Sequence, residues 1–153
     1  MRNRPNSKHR IRKPLAPGPE RSAIFRRVKQ KGTAPEVVVQ TLLTRLGVSY
    51  STNVSAMPGS PDILLREHLR AIFVHGCFWH RHPSCLASST PKRNSEFWLE
   101  KFASNVRRDR RKVRELRKLG YRVTVVWECQ TKTEGKKAML ERRLARCLEM
   151  EEQ

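Results

Sequence analysis

Acidic residues are scarce in this 153-residue chain: 14 Asp and Glu stand against 33 Lys and Arg, for a formal net charge of +19. So large an excess points to a polyanionic partner, because neutralising phosphates releases condensed counterions, and nucleic acid is favoured over an anionic membrane. Long apolar runs are also missing. No stretch approaches the roughly 18 consecutive apolar residues of a membrane span, and no apolar segment backs the basic N-terminus as a secretory leader requires. A soluble, cytoplasmic protein is expected. Cysteines are too few and too uneven for a disulfide framework; Cys77, Cys85, Cys129 and Cys147 sit among histidines, which in an intracellular chain favours metal ligation. The hydrophobic fraction of 37% is low. It is nevertheless gathered into periodic runs between Ser22 and Leu148, enough for a modest core, so disorder throughout is excluded.

Residues 1–19 hold Arg2, Arg4, Lys8, Arg10, Arg12 and Lys13, then Pro14, Pro17 and Pro19, with no acid. This reads as a flexible basic arm. Residues 20–153 are of a length for one domain, and no internal repeat is present. Ser22 can cap a short helix to about Lys29. Thr33-Ala34-Pro35-Glu36 is a capping box opening a second helix with Val38, Val39, Leu42, Leu43 and Leu46 on its apolar side, ended by Gly47. Three short β-rich runs follow, Tyr50 to Val54, Asp62 to Leu65 and Leu69 to His75, and predict a small meander. Leu99, Phe102, Val106, Val113, Leu116 and Leu119 recur at helical spacing up to Gly120. Tyr121 to Trp127 predicts a buried strand with Trp127 in the core, and Glu134 to Leu148 an amphipathic helix. Fold class is therefore α/β, a mixed sheet flanked by helices.

The segment from His75 to Cys85 concentrates three histidines and two cysteines. A structural zinc site needs four soft or borderline ligands in a closed tetrahedron. Cys77, His82 and Cys85 supply three from one loop, and Cys129, just past the last strand, is the natural fourth. Cys147, at an apolar helix position, is a core thiol. His75 and His80 are left over, and imidazoles that titrate near neutrality can serve as acid and base. Asp62 follows Pro61 at the start of a strand whose hairpin partner ends at His75, which brings carboxylate and imidazole to one end of the sheet. Such a carboxylate suits Mg²⁺, which takes only one or two protein carboxylates, and phosphodiester hydrolysis uses this metal to polarise phosphate and activate water.

Five segments then carry a resemblance: Met57-Pro58-Gly59-Ser60-Pro61-Asp62, Ile72-Phe73-Val74-His75-Gly76-Cys77-Phe78-Trp79-His80, Glu96-Phe97-Trp98-Leu99-Glu100-Lys101, Asn105-Val106-Arg107-Arg108-Asp109 and Val126-Trp127-Glu128-Cys129. Together they resemble the very short patch repair endonucleases, DNA mismatch nicking enzymes with a restriction-endonuclease-like fold. The resemblance implies that Asp62 binds catalytic Mg²⁺ with the Val74 carbonyl as a second ligand. His75 and His80 become catalytic histidines, and Glu36 an acid supporting the site. It implies a structural Zn²⁺ on Cys77, His82, Cys85 and Cys129. Phe78, Trp79 and Trp98 would wedge into the duplex beside the mismatch, while Lys101, Asn105, Arg107 and Arg108, with Arg110 and Arg111, would face phosphates. The usual Glu-x-Lys of restriction-type nucleases is absent, and Phe73-Val74-His75 stands in its place.

The expected activity is Mg²⁺-dependent nicking of one strand of duplex DNA at T:G mismatches left by deaminated 5-methylcytosine. The enzyme would act as a monomer in the bacterial cytoplasm, at the nucleoid during repair, in cooperation with mismatch-repair proteins. A non-catalytic, zinc-stapled DNA-binding module is the rival reading. It has no need of Asp62, His75 and His80 together.

Overall fold

A computed structural model describes residues 31–149 of the chain. The basic arm of residues 1–19 and the helix expected from Ser22 to Lys29 lie outside the described residues.

Helix α1, Ala34–Arg45, opens as its sequence dictates: Thr33 is the N-cap and Pro35 stands in the first turn. The cap is reciprocal, since the Glu36 N–H donates to Thr33 Oγ1 at 3.5 Å and the Thr33 hydroxyl donates to Glu36 Oε1 at 2.8 Å. Beyond the C-cap, Gly47 has φ +71, a left-handed conformation that costs glycine no Cβ clash. Strands β1 (Ser51–Thr52), β2 (Ile63–Leu65) and β3 (Arg70–His75) form the expected antiparallel meander. Helix α2, Ser95–Lys118, crosses over to β4, Arg122–Trp127, which pairs parallel with β3; α3, Glu134–Glu149, follows. Among the described residues the sheet is four-stranded and mixed, in the order β1-β2-β3-β4.

The two faces of this sheet bury different helices. Ile63, Leu65, Ile72 and Val126 pack with Val39, Leu42 and Leu43 of α1 and with Leu140 and Leu144 of α3. On the opposite face Leu64, Ala71 and Phe73 pack against Leu116 of α2. Register enforces the split, because Ile63 pairs with Ile72 and Leu64 with Ala71, and directly opposed residues of an antiparallel pair share a face. His75, two residues beyond Phe73, therefore lies on the α2 face. Buried Arg70 anchors the other face, donating from Nη1 to Thr124 Oγ1 at 3.0 Å and from Nη2 to the Cys147 carbonyl in the last turn of α3 at 2.7 Å.

Strand β4 departs from the expectation of burial. Only Val126 is fully enclosed, and Trp127 is half-buried rather than a core residue. The reason is position. Among the described strands β4 is at the edge, with β3 as its neighbour, and the face carrying Val125 and Trp127 borders an open groove beside α2.

Candidate active site and metal cluster

Asp62 sits directly before β2, and the turn built on Met57 to Ser60 delivers it there: the Ser60 N–H donates to the Met57 carbonyl at 2.9 Å, and Pro61 is fully buried. Its carboxylate Oδ2 accepts the Val74 N–H at 2.7 Å, which fixes the acid against β3 next to His75. Burial, with the nearby charge of Glu36 adding to it, pushes the Asp62 carboxyl up to about 6 despite the Val74 hydrogen bond. Glu36 is itself buried, held by the Thr33 hydroxyl and by the Gly32 N–H at 2.8 Å to Oε2. Two carboxylates thus share a poorly solvated corner. A cation placed there would relieve both.

His75 closes β3, and the turn after it, in which the His80 N–H donates to the Gly76 carbonyl at 3.1 Å, brings the second imidazole back over the first. The rings stack at 3.9 Å between centroids, 11° from parallel. Burial, reinforced by the neighbouring His80, pushes His75 down to about 3, so that this imidazole is neutral near pH 7. His80 Nδ1 lies 2.6 Å from Asp109 Oδ2 on α2. Burial alone would raise Asp109, but the hydrogen bond and charge of His80 overcome it and hold the carboxyl below its ordinary value. An ionised carboxylate only accepts, so the proton of this bond is on His80 Nδ1 and the free ring nitrogen is Nε2. Asp109 ends one of the five segments that carry the resemblance, but the resemblance gives it no role. Its signal is a lone acid four residues after Asn105, inside a run of bases.

Cys77, His82, Cys85 and Cys129 converge as their spacing predicts, with all four ligand atoms within 4.8 Å of one another. His82 Nδ1 is 3.6 Å from Cys77 Sγ and 3.4 Å from Cys129 Sγ. Trp127 stacks on the His82 ring at 4.3 Å, holding the imidazole edge toward the thiols. Four donors at these separations could hold one metal ion. Cys147 stands apart in α3.

The aromatic residues form one cluster rather than three exposed wedges. Phe78 meets Trp79, Trp98 and Phe102 edge to face at 5.1 to 5.4 Å. Phe78 and Trp79 are half-buried, whereas Trp98 is 3% exposed and packed against Phe97 and Phe102. Trp98 is thus a backing residue here, not a surface one. Asn105 is likewise buried rather than facing phosphates: Nδ2 donates to the Trp79 carbonyl at 3.0 Å, and Oδ1 accepts from Arg108 Nη2 at 2.8 Å. Lys101, Arg107, Arg108, Arg110 and Arg111 remain exposed along α2. Beside them opens a groove of about 690 Å³, floored by His75, His80, Val125 and Trp127 and rimmed by Arg110, Arg114, Arg117 and Lys118.

A half-buried carboxylate, stacked imidazoles and a basic helix above them are the parts that hydrolysis of nucleic acid would use. The comparisons with known proteins agree. The profile of the DNA mismatch endonuclease Vsr family matches residues 17–86. The chain is 42% identical over 127 residues to the type II nicking enzyme V.NmeAIP of Neisseria meningitidis, covering 83% of this chain and 88% of the relative. It is 43% identical over 109 residues to the DNA mismatch endonuclease Vsr of Escherichia coli, covering 71% and 69%. Against the type II nicking enzyme V.XorIIP of Xanthomonas oryzae the identity is 38% over 132 residues, covering 86% and 94%. The chain belongs to the DNA mismatch endonuclease Vsr family and is a DNA endonuclease. The reading as a binding module without catalysis is set aside.

Proposed function

We propose that this endonuclease nicks one strand of duplex DNA at a T:G mismatch, the lesion that deamination of 5-methylcytosine leaves, by Mg²⁺-dependent hydrolysis centred on Asp62. The observation that carries the reading is the convergence of Asp62, His75 and His80 at one end of the sheet, with Asp109 holding His80. The β2–β3 hairpin with a parallel strand beyond a crossover helix is in keeping with a restriction-endonuclease-like core.

Asp62 and the Val74 carbonyl would hold the Mg²⁺. The fit rests on the raised Asp62 carboxyl and the adjacent Glu36, whose shared negative potential favours a divalent cation. Mg²⁺ bound there supplies Lewis acidity at the phosphate and lowers the pKa of bound water. His80, oriented by Asp109, presents Nε2 for proton transfer at an attacking or leaving oxygen, and His75 fixes the position of that ring by stacking. Cys77, His82, Cys85 and Cys129 would hold a structural Zn²⁺; four protein ligands leave no open position for water. Phe78 and Trp79, backed by Trp98, would insert beside the faulty pair, where unstacking costs least. Lys101, Arg107 and Arg108 would contact phosphates. Double-stranded DNA is the partner, met by a monomer in the cytoplasm, with mismatch-repair proteins taking up the nicked product.

The test is a panel of duplexes carrying each single mismatch in varied flanking sequence, incubated with Mg²⁺. Single-strand nicking concentrated on T:G is expected. Equal cutting of matched duplex, or nicking that needs no divalent ion, would overturn the reading.

A further inference from the structure

The absence of a Glu-x-Lys from β3 leaves no lysine on that strand beside Asp62, because Phe73, Val74 and His75 occupy those positions. An ammonium nevertheless reaches the site from the other direction. Asn105, Asp109, Lys112 and Leu116 recur at three- and four-residue spacing along α2, which sets them on one stripe. The two ends of that stripe are buried, Asn105 beneath Trp79 and Leu116 in the core with Leu64 and Phe73. Asp109 holds His80. Lys112 is one turn beyond Asp109, half-buried, with its Nζ 5.6 Å from the centre of the Phe73 ring.

Gly59 makes the path. It stands in the turn that delivers Asp62, with φ +75, and a Cβ built there would lie 2.5 Å from Lys112 Cγ and 2.7 Å from Cβ. The lysine stem therefore runs across the bare backbone of the Asp62 turn, and its head emerges over Phe73, which the β2–β3 register sets across from Asp62. Its positive charge bears on Asp62, His75 and Asp109 alike, lowering the pKa of each. The head makes no hydrogen bond or ion pair with a described residue. Holding a long side chain in place costs rotamer entropy, and an ammonium that feels Asp62 and Asp109 without pairing to either, resting over Phe73, keeps its donors for an anion that arrives with the substrate.

We infer that Lys112 is a further catalytic residue, whose ammonium binds a non-bridging oxygen of the scissile phosphate when DNA occupies the Asp62 site. In that position it stabilises the negative charge gathering on the phosphate oxygens during attack. The role rests on the reading of Asp62 as the hydrolytic centre.

Single-turnover nicking by Lys112→Met at saturating Mg²⁺ should fall about 100-fold, the usual loss for one such donor, while Lys112→Arg recovers most of it. Binding measured in magnesium-free buffer locates the contact. A methylphosphonate at the scissile position removes the charge Lys112 would meet. It should weaken binding by the wild type, and weaken binding by Lys112→Met no further, because two changes to one contact are not additive. Wild-type nicking by Lys112→Met would overturn the inference, and so would slow nicking with additive binding losses, which would mark a structural role. If the methionine variant does not fold, Lys112→Gln carries the same comparison. Asp62→Asn run in parallel separates the two claims: nicking by that variant overturns the assignment of the site, whereas an inactive Asp62→Asn beside a fully active Lys112→Met overturns only the role of Lys112.

Discussion

At Asp62, burial and the charge of Glu36 oppose ionisation together, and the carboxyl moves from its ordinary 3.8 to about 6. The group takes up a proton on folding between those values. Ionised Asp62 therefore opposes folding above pH 6, by on the order of 3 kcal/mol without metal, and the opposition fades as pH falls through 6 toward 4. Asp62→Asn keeps an acceptor for the Val74 N–H and removes the charge. It should abolish nicking and yet raise the melting temperature at pH 7.5 in magnesium-free buffer, with the gain shrinking by pH 5; thermal melts at the two pH values check this, and a lower melting temperature at pH 7.5 would contradict it. Adding Mg²⁺ should raise the melting temperature of the wild type and leave that of Asp62→Asn unchanged. A second expectation concerns Asp109, whose carboxylate fixes the proton on His80 Nδ1. Asp109→Asn preserves size but can donate as well as accept, and so releases the tautomer. Nicking should fall by roughly 10²- to 10⁴-fold, the usual scale of a lost acid or base, while mismatch binding stays within about tenfold.

Among the described elements, β3 and α2 are joined by the longest connection, which holds one short 3₁₀ turn at Leu86–Ser88. Its backbone is held by Ser88, whose hydroxyl lies 2.8 Å from both the His82 and the Cys85 carbonyls, and a zinc ion on Cys77, His82, Cys85 and Cys129, as proposed, would tie it to the segment beyond β4. Cys129→Ser should therefore lower thermal stability and reduce the zinc that co-purifies from about one equivalent. Metal analysis and a melt test it; unchanged zinc in a fully stable variant would contradict the assignment. Helix α2 acts on the same segment through Asn105. Asn105→Ala leaves the Trp79 carbonyl without this donor, at a cost of about 1–3 kcal/mol if no water replaces it. The preference for mismatched over matched duplex should shrink more than the affinity for matched duplex. Competition binding with both duplexes at one fixed salt concentration measures that difference.

For the whole molecule, a charge of +19 and a helix studded with exposed arginines predict binding dominated by counterion release. With six to ten phosphate contacts, affinity for matched duplex should fall by about 10³–10⁵ between 50 and 200 mM salt; a shallow salt slope in a titration would contradict this. What the sequence determined by itself is whatever depends on local chemistry. The capping box at Thr33 and Glu36 starts a helix wherever it stands. The short β-rich runs around Ile63 and Ile72 set a hairpin, and the spacing of Cys77, His82 and Cys85 groups three candidate ligands on one loop. The charge is a property of composition alone. Only the tertiary structure decided which of the remaining side chains face one another. Trp127 reads as core in a one-dimensional pattern, but β4 lies at the edge of the described sheet and opens that face to the groove. Trp98 reads as a wedge from the resemblance and Asn105 as a phosphate contact from its place on a basic helix, yet the rotation of α2 turns both inward. Lys112 looks like one more charge in a run of charges, and the segment that ends in Asp109 does not say which side chain that acid will meet. Both reach the site because α2 crosses over β3 at the point where Gly59 leaves room, and such packing over 50 residues of sequence is written in no local pattern.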